Sequence, residues 1–197
     1  MTKPRAKRFY LIRGIPGSGR STLARSLQNT YKANDLTTVI LEANDFFMEG
    51  DVYNFNPTKL QEAHDDCIER TKEVLTDDVN DIVIVTNTFV HKWEIDPYLD
   101  MLDYMKNIVV FDMIVAQGGK GSTHDVPLKT IEKMKRNFEE IPSSVVNEYR
   151  NIARRNNLDR LTSITENRWG VYTTNAFVSN LEHTYITWEK SKFEVGR

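Results

Sequence analysis

Apolar positions along the chain alternate between two spacings, and that alternation lays out a series of elements. Phe9-Tyr10-Leu11-Ile12, Thr37-Thr38-Val39-Ile40-Leu41, Ile82-Val83-Ile84-Val85 and Ile108-Val109-Val110-Phe111 are apolar runs of strand length. Runs with so little polar interruption belong to strands covered on both faces, as in parallel sheets. Between them the spacing changes to three and four. Leu23, Ala24 and Leu27 share one helical face, and Leu60, Ala63, Cys67, Val74 and Leu75 share another within Thr58 to Thr76. Trp93, Tyr98, Leu99, Leu102 and Met105 predict a helix from Trp93 to Lys106 with Pro97 in its first turns, and Pro127 opens one running to Phe138. Strands and helices in alternation predict an α/β fold, a parallel sheet of about four or five strands with helices on both faces.

The last quarter breaks this rhythm. Pro142 to Asn157 reads as a helix carrying Arg150, Arg154 and Arg155, after which Arg168 to Tyr172 and Thr184 to Trp188 read as strands, a hairpin-like addition or an extra sheet edge. The organisation expected is a basic tail over 1–8, an α/β domain over 9–157 and an extension over 158–197 packed on the same domain.

The turn between the first strand and the first helix carries the chemistry. It reads Gly14-Ile15-Pro16-Gly17-Ser18-Gly19-Arg20-Ser21-Thr22: glycine, four variable residues, glycine, a cation, then hydroxyls. Glycines permit conformations that let successive N–H groups converge on phosphate oxygens, and the helix N-terminus adds its positive end. The pattern predicts binding of ATP or another nucleoside triphosphate, with Ser21 in the position of the hydroxyl that ligates Mg²⁺. Arg20 stands where lysine is usual. It keeps the charge but replaces a compact ammonium with a planar fork.

Asn44 and Asp45, followed by Phe46 and Phe47, lie just past the carboxyl end of the second strand, the edge where open α/β sheets bind ligands. Gln117 to Thr123, with Lys120, is a glycine-rich break that suits a lid or an ordinary surface loop. Phe46, Phe47, Tyr53 and Phe55 suit either stacking on a base or packing of a long loop. Cys67 falls on a core face, and His64 reads as core or as a support to the site. Asp77, Asp78, Asn80 and Asp81 lack the glycine and terminal glutamate of a calcium loop and read as a helix-to-strand turn.

Composition narrows the classes. The chain has 197 residues, 40% of them hydrophobic, enough for one sizeable core. A net charge of -2 gives no global case for nucleic acid or membrane, so a polyanion site has to be local. One cysteine excludes an intrachain disulfide framework, and no apolar run reaches membrane-spanning length. An intracellular, cytoplasmic protein is expected. Lys3, Arg5, Lys7 and Arg8 admit a nuclear address, but so short a cluster reads first as a solvated tail.

Taken together, Gly14 through Thr22, Asn44 to Phe47, Tyr53 to Phe55, Ala63-His64, Thr86 to Thr88, Trp93-Glu94 with Pro97-Tyr98, and His124 to Pro127 with Ile131 and Met134 give the chain a likeness. It resembles the polynucleotide-kinase-type branch of P-loop phosphotransferases from about Phe9 to Phe138. The resemblance implies a kinase that uses ATP and Mg²⁺ on a hydroxyl of a nucleic acid end, nucleotide or nucleoside. It also implies catalytic positions at Arg20, Asn44, Asp45 and Lys120. The chain departs from that branch at several of them: Asn44 replaces the aspartate that takes the acceptor proton, Thr86 replaces the acidic end of the third strand, and Gln117 and Lys120 stand where the lid brings arginines. Losing a general base commonly costs ~10²–10⁴ in rate. Hence the alternative of a degenerate, pseudokinase-like module that binds a nucleotide or polyphosphate and meets a protein partner through 158–197. A phosphohydrolase or a small-metabolite kinase is a third, since fold alone does not choose the acceptor.

Overall fold

The protein was analysed as a computed structural model, in which residues 7–105, 109–117, 126–145, 147–148 and 185–187 are described. In chain order the elements are β1 (Lys7–Arg13), α1 (Arg20–Lys32), β2 (Thr38–Leu41), the short pair β3 (Met48–Glu49) and β4 (Val52–Tyr53), α2 (Leu60–Thr76), β5 (Ile82–Thr86), α3 (Asp96–Tyr104), β6 (Val109–Gln117), α4 (Leu128–Asn137) and β7 (Tyr185–Thr187). The main sheet runs β2-β5-β1-β6-β7, every neighbouring pair parallel, and β3 and β4 form a separate antiparallel pair. The expected α/β architecture is present, and Val115 pairs with Tyr185, which sets a strand from the 158–197 segment at the sheet edge.

Alternation along the central strands divides the core in two. Phe9, Leu11, Val83, Val85 and Phe111 face α2 and α3, meeting Ala63, Cys67, Leu75, Tyr98 and Leu102. Tyr10, Ile12, Ile82, Ile84 and Ile114 face the other way and meet Leu23, Ala24, Leu27 and Tyr31 of α1. Each fully buried side chain of this size contributes roughly 1.5–3 kcal/mol. Cys67 is buried in the first layer, and burial pushes its thiol up, away from nucleophilic use.

The basic run and the fourth strand differ from expectation. β1 begins at Lys7, and both Lys7 and Arg8 are buried. Lys7 Nζ donates to Val74 O and Asp77 Oδ1, each at 2.6 Å, while Arg8 donates to Asp112 Oδ2 at 2.5 Å. These two cations are therefore structural members of the sheet and not a solvated tail; Lys3 and Arg5 lie outside the described residues. β6 continues six residues past Phe111 because Asp112, which interrupts its apolar run, has a buried partner in Arg8. Asp77 also accepts from the backbone of Val79 and Asn80, closing the expected turn before β5. Among the described residues no helix is long and apolar enough to cross a membrane.

Candidate phosphate-binding site

The loop from Gly14 to Gly19 joins the carboxyl end of the central strand β1 to the first turn of α1. Its entry is tight: a Cβ on Gly14 would stand 2.8 Å from the Ala116 carbonyl oxygen and closer still to Ser18 Oγ. Gly14 N–H donates to Thr88 O at 3.2 Å, which ties the loop to the segment after β5. Gly17 and Gly19 hold φ of 81° and 88°, a left-handed conformation that side chains resist. Ser18 N–H closes a turn onto Ile15 O at 3.1 Å.

Two features of this turn leave it open to an anion. Gly19 caps α1 without a side-chain hydrogen bond, and the first turn contains no acidic residue. Ser18 Oγ is buried with no partner among the described residues. A buried hydroxyl left this way costs free energy unless a ligand completes it. Arg20 opens the helix. Burial lowers its guanidinium to about 10, Glu42 offsetting part of the change, so it stays cationic at neutral pH. The donor set fits the phosphates of a nucleotide.

Ser21 Oγ donates to Glu42 Oε1 at 3.0 Å. Glu42 follows β2 directly, and burial pushes its carboxyl up while Ser21, Arg20 and Arg25 pull it back. This carboxylate was not among the sequence candidates. The end-of-strand rule that singled out Asn44 and Asp45 also covers Glu42, one residue past the apolar run.

Asn44 and Asp45 sit in a one-turn helix over Ala43–Phe47. Tyr53 OH lies 3.4 Å from Asn44 Oδ1 as its donor. Asp45 Oδ2 accepts from the Glu42 N–H at 2.9 Å and from Arg70 at 3.1 Å. Thr86 ends β5 with its Oγ1 buried and unpartnered among the described residues. Asn87 Oδ1 accepts the Ala43 N–H at 2.8 Å, fixing the β2 end to the β5 end. The phosphate loop, the Glu42 to Asp45 turn and the Thr86 to Thr88 segment thus converge at one edge of the sheet. Lys120 and the segment around it lie outside the described residues, and the Gln117 side chain is not described.

The aromatic residues after β2 pack on one another. Phe47 is buried, with the Phe55 ring at 5.1 Å and the Tyr53 ring at 6.3 Å, and Tyr53 stacks on Phe55. That is the loop-packing arrangement. His64 is half-buried in α2, where burial lowers its imidazole and Glu94 and Asp65 act against the shift.

A parallel sheet with this loop between its central strand and first helix is an α/β fold carrying a P-loop motif. No family model matches the chain. Over 103 residues it is 38% identical to human NEDD4-binding protein 2, a match covering 52% of this chain and 6% of that protein. The chain therefore corresponds to a small part of this relative. Among solved structures it is similar to a chain of the Pnkp1/Rnl/Hen1 complex, with 18% identity, 67% of this chain and 40% of that chain covered, and a TM-score of 0.41. It is similar also to the APS kinase CysC of Mycobacterium tuberculosis in complex with AMPPNP and APS, at 16% identity, 66% and 69% coverage and a TM-score of 0.45. Shikimate kinase from Acinetobacter baumannii gives 12% identity, 81% and 95% coverage and a TM-score of 0.43.

Proposed function

We propose that the protein is a kinase-type phosphotransferase that takes ATP or another nucleoside triphosphate as donor and a hydroxyl of a nucleic acid end or nucleotide as acceptor. The observation that supports this best is the uncapped start of α1 beside the buried, unpartnered Ser18 hydroxyl, at the carboxyl edge of a parallel sheet. In this reading the backbone from Ile15 to Ser21 cradles phosphates, with Gly14, Gly17 and Gly19 giving it room and Thr22 continuing the first turn. Arg20 meets the terminal phosphates, and Ser21 holds Mg²⁺. The bound cation neutralises charge that builds on the phosphate oxygens. Asn44 and Asp45 face the acceptor side, and the family resemblance implies a catalytic role for Lys120. An intracellular setting suits the single buried cysteine.

A second reading is favoured by one observation. Asp45 is held by Arg70, Asn44 cannot act as a base, and Thr86 carries no charge, so the groups expected to move a proton are absent or engaged. On that reading the chain is a nucleotide- or polyphosphate-binding module for a protein partner, met through 158–197. Incubation with labelled ATP, Mg²⁺ and a panel of 5′-hydroxyl oligonucleotides and nucleosides separates the two. Label transfer is expected for the kinase. Saturable nucleotide binding with no transfer to any acceptor would count for the module.

A further inference from the structure

In the resemblance drawn from the sequence, the carboxylate beside the cation belongs at the end of the strand that is β5 here. That strand ends Thr86-Asn87-Thr88-Phe89-Val90, without an acid, and Thr86 Oγ1 is buried and unpartnered among the described residues. β2 lies alongside β5 in parallel register, Leu41 opposite Val85, so the next residues along the two strands are Glu42 and Thr86. Adjacent strands stand ~4.8 Å apart. The β5 end thus has no carboxylate, while its neighbour β2 carries one at the same level.

We infer that Glu42 takes over the cation-side carboxylate, completing with the Ser21 hydroxyl a site for a divalent cation of the Mg²⁺ type carried with the nucleotide. The inference rests on the nucleotide-binding reading above.

Three features carry it. Ser21 Oγ donates its proton to Glu42 Oε1 at 3.0 Å, which leaves the oxygen lone pairs of Ser21 free for a cation. The Glu42 backbone is pinned on both sides: its N–H donates to Asp45 Oδ2 at 2.9 Å, and its carbonyl accepts from Arg70 at 2.9 Å. The side chain is therefore presented from a fixed point and not from a loose loop. Asp45, the other acid of this turn, is committed to Arg70. One carboxylate and one hydroxyl are a small protein share, and Mg²⁺ commonly takes the rest from water and substrate phosphates. Among the described residues there is no group of three or more His, Cys, Asp or Glu that could hold a metal by protein side chains alone.

The test titrates the full chain with a fluorescent ATP analogue in EDTA and again in Mg²⁺, then repeats both for Glu42→Gln, Glu42→Ser and Ser21→Ala. The wild type is expected to bind in EDTA and to gain affinity with Mg²⁺. Glu42→Gln is expected to keep its EDTA affinity within about threefold and to lose most of that gain. Mn²⁺ bound with the nucleotide, read by electron paramagnetic resonance, should weaken by ~10–100-fold in the same variant. The amide of Glu42→Gln can still accept the Ser21 proton, so a role limited to orienting Ser21 would leave the Mg²⁺ gain intact and overturn the inference. A wild type that binds nucleotide equally well with and without Mg²⁺ overturns it too. Circular dichroism checks the fold of each variant, and Glu42→Ser supplies the answer if Glu42→Gln is not folded. Absence of nucleotide binding by the wild type in both buffers refutes the underlying reading instead.

Discussion

Arg70 of α2 reaches across to Asp45, donating from Nη1 to Asp45 Oδ2 at 3.1 Å. The same guanidinium donates to the Glu42 carbonyl at 2.9 Å and to Asp66 at 2.7 Å, so one side chain gathers the turn after β2 onto the helix. The ion pairs are partly solvated and individually weak, and the hydrogen bond to the backbone is part-buried. Arg70→Met is expected to cost about 1 kcal/mol of stability. In a double-mutant cycle with Asp45→Asn, urea unfolding should show a coupling of roughly 0.5–1 kcal/mol. Strict additivity would mean that the contact is idle in solution.

Gly14 has no room for a methyl group: even if the Ser18 hydroxyl swings away, the Ala116 carbonyl of the neighbouring strand stands 2.8 Å from the added carbon and is backbone. Gly14→Ala should lower stability by about 1–3 kcal/mol and weaken nucleotide binding by on the order of tenfold or more through the displaced loop. Chemical denaturation and a fluorescent-nucleotide titration read the two effects separately. Native values in both would show that β6 can withdraw at no cost.

Arg20 and Asn44 can be returned together to the residues usual for the kinase branch. For Arg20→Lys with Asn44→Asp, transfer of label from ATP to a 5′-hydroxyl oligonucleotide should rise by ~10² or more, the usual value of a general base. A fall below the native rate would show that Arg20 and Asn44 belong to a working reaction of their own. The module reading would then be lost.

Asp77 gives the expected pH dependence. Partial burial raises its carboxyl, but the Asn80 N–H, the Lys7 ammonium, the Asn80 side chain and the Val79 N–H outweigh this and hold it well below the usual carboxylate range. A group whose folded pKa is depressed stabilises fully above its unfolded pKa, ~3.9 for aspartate. That contribution is lost as the pH falls through the folded value. Asp77→Asn should therefore be less stable than wild type at neutral pH and converge with it as acid is added below about pH 4. Urea midpoints across the acid range check this; a constant gap would assign the stabilisation to packing of Lys7.

The first half of the site was legible because its signal is local. Glycine spacing between an apolar run and a helical face specifies strand, loop and α1 without reference to distant residues. The helix faces and Cys67 followed in the same way. What escaped depends on contacts far apart in sequence. Asp112 looks like the end of a strand until Arg8, 104 positions away, is placed beside it, and Lys7 looks solvated until Asp77 arrives. Glu42 is not marked by the family likeness, which bears on the two residues after Ala43. The side-chain contact with Ser21 spans 21 positions and has no periodic signature.

Arg13, the residue before Gly14, is fully buried, with Nε donating to Phe89 O at 3.0 Å and Nη2 to Val90 O at 3.2 Å. Its guanidinium also lies 4.1 Å from the centre of the Phe138 ring, just past α4. Glu139 next to it donates its N–H to Val90 O and accepts from the Lys92 N–H. The end of α4, the loop after β5 and the root of the phosphate loop are consequently clamped as one mechanical unit. Whatever shifts α4 has to be accommodated at the residue from which the phosphate loop departs.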